Sequence, residues 1–87
     1  MLLTFTLRAL SDPTRRKILE LLKKRDMPVS QIAKHFDMKL PSVSHHLNML
    51  KQANLVTFQR QGQELIYSLN ISVFEEITNY LIKFFKK

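Results

Sequence analysis

The chain has 87 residues, enough for a single modest core, and 45% of them are hydrophobic, which argues against disorder. Fourteen Lys and Arg against seven Asp and Glu leave a net charge of +7, a balance that favours a polyanionic partner, nucleic acid first and an anionic membrane surface second. The absence of cysteine excludes disulfides, thiolate metal sites and thiol redox sensing.

The opening MLLTFTLRAL is apolar but interrupted by threonines and by Arg8. It lacks the basic start of a signal peptide and is too short to cross a bilayer, so a soluble cytoplasmic protein is expected. No repeat, low-complexity segment or linker divides the chain, which reads as one domain over 1–87. Residues 2–10 form a short apolar helix that ends at SDP. Asp12 then occupies an N-cap position with Pro13 at N1, and PTRRKILELLKKR follows as a helix. Its apolar face is Ile18, Leu19, Leu21 and Leu22, with Arg15, Arg16, Lys23 and Lys24 expected mostly elsewhere. After Pro28, Ser30 is expected to cap a short helix QIAKHF that turns Ile32, Ala33 and Phe36 inward.

Pro41 opens the next helix, which runs to about Ala53 and gathers Val43, Leu47 and Leu50 on one face. Two helices joined by a tight turn, the first only two turns long, suggest a helix-turn-helix. The period then changes. LVTFQR and ELIYSL are β-prone runs around Gln61-Gly62-Gln63, and the one glycine of the chain marks the hairpin tip. SVFEEITNYLIKFFKK closes the sequence as a helix, with Ser72 and Glu75 spaced as a capping box. Its apolar stripe is Phe74, Ile77, Leu81 and Phe85, widened by Val73, Tyr80 and Phe84. The expected fold is α+β and mainly α, a winged helix-turn-helix with a two-stranded β-hairpin wing and terminal dimerisation helices.

The segment PSVSHHLNML raises three chemistries. Catalysis is disfavoured because adjacent Ser44 and His45 diverge by about 100° on a helix, and no Asp or Glu lies in the segment to orient the imidazole. A metal is disfavoured because neighbouring histidines lack the i, i+3 or i, i+4 spacing of helical ligands, and His35 reaches them only through the fold. Contact with DNA fits best. Opposite the apolar stripe lie Pro41, His45, Asn48 and Gln52, flanked by Ser42, Ser44 and Met49. These are mostly short or planar hydrogen-bonding groups without carboxylates, suited to base edges and phosphates. His45 is the reader of the pair, whereas His46 falls on the shoulder of the stripe and is expected to pack. Arg15, Arg16, Lys39 and Arg60 are expected to grip phosphate.

At ALSDPTRRKILELL, VSQIAKHF, PSVSHHLNMLKQANLV and the strand holding Tyr67, the chain resembles the ArsR family of bacterial repressors over nearly its whole length. It is most similar to the small, metal-independent branch of autorepressors. The resemblance implies a homodimer on an inverted-repeat operator, with no cofactor and no catalysis. The second helix of the motif would lie in the major groove, the wing beside the minor groove, and the terminal helices in the dimer. Carried over by position, the DNA-facing residues are Ser42, Ser44 and His45, with Arg60 and the tip Gln61–Gln63 on the wing. Lys39 stands where the family usually has a capping serine and is expected on phosphate. Leu40 replaces a polar residue, so no base contact is expected of it. Gln63 replaces a residue often basic, which leaves minor-groove reading by the wing open. The cysteines and the C-terminal histidine and aspartate ligands of the metal-sensing members are absent.

A dimer also follows from the residues themselves. Leu2, Leu3, Phe5 and Leu7 at one end, and Phe74, Ile77, Leu81 and Phe85 at the other, offer more apolar surface than so small a core can cover. Two other readings stay open: that both helices complete one core, or that the last helix lies on a membrane surface, against which Glu75 and Glu76 argue. The function expected is repression of transcription, with a protein partner left open as the means of relieving it. The rival is a winged-helix module that binds protein rather than DNA.

Overall fold

Asp12 starts the principal helix as its sequence position predicts. In the computed structural model, which describes residues 3–86, its carboxylate accepts the backbone N–H of Arg15 at 3.0 Å, and Pro13 opens the helix where no N–H is needed. This is helix α2, Pro13–Lys24, preceded by α1, Leu3–Leu10. A two-residue strand β1, Met27–Pro28, leads into the short helix α3, Val29–Ala33. Helix α4 covers Leu40–Gln52, strands β2 and β3 cover Val56–Gln61 and Glu64–Leu69, and α5 covers Ile71–Ile82 with a 3-10 turn at Lys83–Phe85.

The wing is the expected antiparallel hairpin, paired from Val56 with Leu69 to Gln61 with Glu64. Its tip has Gly62 at φ 64°, while Gln63 keeps a negative φ. That is the pattern of a two-residue hairpin turn with glycine at the first central position. The hairpin is not alone. Met27 pairs with Tyr67 and Pro28 with Ile66, so β1 joins as a third strand in the order β1-β3-β2.

One contiguous core joins the elements. Ile18 of α2, Ile32 of α3, Val43 and Leu50 of α4, and Leu55 before the wing are fully buried, with Leu47, Val56 and Tyr67 nearly so. Each such side chain contributes about 1.5–3 kcal/mol. Asn54 sets the angle between α4 and the wing. It takes the left-handed conformation at φ 59°, its N–H donates to Lys51 O at 2.9 Å, and the next N–H, of Leu55, donates to Leu50 O at 3.0 Å. This paired closure is the Schellman motif, with asparagine where glycine is commonest. Asn70 locks the same corner, its Nδ2 donating to Asn54 O at 2.9 Å and its backbone N–H to Leu55 O at 3.0 Å.

Several expectations need correction. Ser30 does not cap α3. The cap position is Pro28, and the Ser30 hydroxyl instead donates to Glu64 at 3.4 Å, because the added strand starts the helix two residues earlier. The segment after Ala33 is a turn rather than a continuation through Phe36. The capping box at Ser72 and Glu75 is not formed, since α5 begins at Ile71 with Asn70 as its cap residue. Arg15 is not an outward cation but is 9% exposed, within the core layer.

Candidate nucleic-acid interface

The amphipathic division of α4 is sharp. Val43, Leu47 and Leu50 are buried, while Leu40, Pro41, Ser42, His45, Asn48 and Gln52 are exposed and Ser44 and Met49 half-buried. Lys39 is the exposed cap residue, and its ammonium, which only donates, makes no capping bond to the helix N–H groups. Helix α4 contains no acid, so its outer face is a run of hydroxyl, imidazole and amide groups. The structure therefore gathers Lys39, Ser42, Ser44, His45 and Asn48 on one helix. Arg60, Gln61 and Gln63 lie apart from them, exposed at the far end of the wing.

The two histidines separate as their helical positions require. Their ring centroids are 5.8 Å apart, yet His45 is exposed and the His46 side chain only 18% so. His46 Nδ1 lies 3.4 Å from Arg15 Nη1. A guanidinium only donates, so Nδ1 accepts and the ring carries its proton on Nε2. The same Nδ1 is 3.9 Å from Asp12 Oδ2, too long for a hydrogen bond, and the guanidinium sets the tautomer.

Arg15 is the residue whose role the sequence reading missed. Its Nε donates to Ala9 O at 2.8 Å and its Nη2 to Arg8 O at 3.1 Å, closing the open carbonyls of α1. Arg16 adds a bond from Nη1 to Leu10 O at 2.7 Å while staying exposed. Arg15 thus ties α1, α2 and α4 together, with its Nε, Nη1 and Nη2 all engaged within the chain. The signal was present: Arg15, Ile18, Leu19 and Leu22 follow the i, i+3, i+4, i+7 spacing of one buried face. The Asp12 carboxyl is held below its ordinary range, chiefly by the backbone N–H of Arg15. On the wing, Phe58 is flanked by the Lys51 ammonium, 4.7 Å from its ring centroid, and by the Tyr67 ring at 5.5 Å. That bracket fixes β2 against α4.

Of the residues expected at a dimer contact, Leu2 lies outside the described residues. Leu3 is half-buried and Phe5 is 51% exposed. Phe74 packs on the core at partial exposure and Ile77 is buried within it, whereas Leu81 and Phe85 are exposed. No helix among the described residues is long and apolar enough to cross a membrane.

A short helix, a turn, a second helix with an exposed polar face and a β-hairpin arm define a winged helix-turn-helix domain. Residues 12–57 match the family model described as bacterial regulatory protein, arsR family, and the chain belongs to that family. It is 51% identical over 80 residues to the transcriptional repressor SdpR of Bacillus subtilis (strain 168), spanning 92% of this chain and 89% of that one. It is 34% identical over 79 residues to an arsenical resistance operon repressor of Staphylococcus xylosus, spanning 91% and 76%. The fold superposes on the crystal structure of an ArsR family transcriptional regulator with TM-score 0.88 at 32% identity, covering 93% of this chain and 89% of that one. A homodimeric winged helix-turn-helix DNA-binding domain from Mycobacterium bovis gives TM-score 0.76 at 25% identity, covering 93% and 78%. These relatives are regulators and repressors, not enzymes.

Proposed function

We propose that the protein is a cytoplasmic homodimeric repressor that occupies an inverted-repeat operator in double-stranded DNA, without a metal effector, its own operon being the first target to test. The carboxylate-free outer face of α4, set opposite a fully buried stripe, carries this reading. Lys39 contacts phosphate, Ser42, Ser44, His45 and Asn48 meet base edges or phosphate in the major groove, and Arg60 with Gln61 and Gln63 lies along the adjacent backbone. Two observations support independence from metal. The chain has no cysteine, and the described residues bring no three of His, Asp or Glu together as ligands. The repressor and homodimer named among the relatives support the same assignment.

The test is a gel shift on an operator selected from genomic DNA, against a scrambled duplex, at several salt concentrations. With Arg15 occupied internally, Arg16, Lys39 and Arg60 of two protomers neutralise about 6 phosphates, and log K should fall against log salt with a slope of roughly −5. A slope near zero removes the nucleic-acid reading and leaves a protein-binding module. Zinc or a chelator should leave operator affinity unchanged; a tenfold shift that maps to His35, His45 or His46 would defeat metal independence.

A further inference from the structure

Among the described residues, ten large hydrophobics are exposed, and eight of them lie on α1, on α5 or in the turn that follows it. The ninth, Phe58, is bracketed by Lys51 and Tyr67. Only Leu40 stands apart, 54% exposed at the first position of α4, with the core stripe of that helix beginning three residues later at Val43. It sits at the edge of the apolar stripe, more than half exposed, and its neighbours along the chain are Lys39, Pro41 and Ser42.

We infer that Leu40 reads a thymine C5-methyl group in each operator half-site. The inference rests on the proposal that α4 enters the major groove. Side chains on a helix lean toward its N-terminus, so Leu40 projects beyond the end that reaches deepest into the groove. It is one turn before Ser44 and two before Asn48, on the same strip of the helix. A leucine neither donates nor accepts a hydrogen bond, and the thymine methyl is the one apolar group that the major-groove edges present. The polar neighbours hydrogen-bond to base edges or phosphate, and Leu40 adds a discrimination they cannot make.

Replacing thymine by deoxyuridine removes only that methyl. On the selected operator, substituted one thymine at a time, the wild-type protein should lose about fourfold in affinity at one thymine of each half-site. Leu40→Ser and Leu40→Ala should bind the thymine and uracil duplexes alike at that position, with unchanged melting temperatures because the side chain is exposed. Wild-type indifference to every such replacement overturns the inference while leaving base reading by Ser44 and His45 intact. So does a variant that keeps the penalty, or a half-site without thymine. A wild-type protein that binds operator and scrambled duplex equally overturns the base-reading proposal itself, and Leu40 with it.

Discussion

His45 and His46 are neighbours in the chain with opposite surroundings, and substitution should separate them. His45→Ala should weaken operator binding by about 1–3 kcal/mol and leave affinity for scrambled DNA nearly unchanged. His46→Ala opens a gap beside Arg15 and should cost about 1 kcal/mol of stability, a fall of roughly 4–8 °C in melting temperature for a domain of this size. Binding to both duplexes together with melting curves checks the pair; discrimination lost at His46 with stability intact would reverse the assignment. Asp12 supplies a pH dependence at the same corner. Its carboxyl is held below the ordinary value of 3.8 by the Arg15 N–H, so the ionised form favours the folded state. That contribution is complete above the unfolded value and is lost as pH falls through the lower folded value. Asp12→Ala should therefore cost about 1 kcal/mol at neutral pH, with the deficit relative to wild type shrinking below about pH 4. Asp12→Asn, which caps without charge, should show no such convergence in urea melts taken across that range.

The corner between α4 and the wing depends on one backbone conformation. Asn54 tolerates φ 59° at modest cost, whereas a β-branched residue there does not. Asn54→Gly should hold or raise stability, and Asn54→Val should lower it by about 1–2 kcal/mol and weaken DNA binding by tilting the wing away from α4. Equal melting temperatures for the two variants would show that the corner does not constrain the fold. This position also marks what the sequence leaves illegible. The apolar spacing of α2 and α4, the Asp12-Pro13 start and the Gly62 tip are local signals, and the structure has each where its spacing puts it. Residues whose role is decided by a distant partner read wrongly or not at all. Ser30 and Ser72 looked like caps until β1 and Asn70 took those helix starts. Arg15 looked like a surface cation until the carbonyl ends of α1 claimed its guanidinium. The outer face of α4 was legible because, among the described residues, its polar side chains stay exposed, which is what makes it a candidate site.

At the scale of the molecule, the terminal helices are amphipathic in the wrong sense for a lone protomer. Helix α1 buries Thr6 and Ala9 against the body and turns Phe5 and Leu7 outward. Helix α5 spends Val73 and Ile77 on the core, then carries Leu81, Ile82, Phe84 and Phe85 out into solvent, and the molecule reaches 49 Å along an axis against 24 and 21 Å across. Apolar surface on that scale asks for a partner, and a second copy offers the same two helices. The choice of variant follows from the burial pattern. Ile77→Asp would place a charge in the protomer's own core and unfold it, so its failure would say nothing of assembly. Leu81 is 49% exposed and can accept a charge without disturbing the fold. Leu81→Asp should keep the wild-type circular dichroism spectrum and sediment as a monomer where the wild type sediments as a dimer. Its affinity for a full operator should fall on the order of 100-fold, because the second half-site is no longer held at high effective concentration, while its affinity for an isolated half-site should match the wild type's. A wild-type chain that sediments as a monomer at micromolar concentration, or a Leu81→Asp dimer, would leave the exposed helices without the role argued for them.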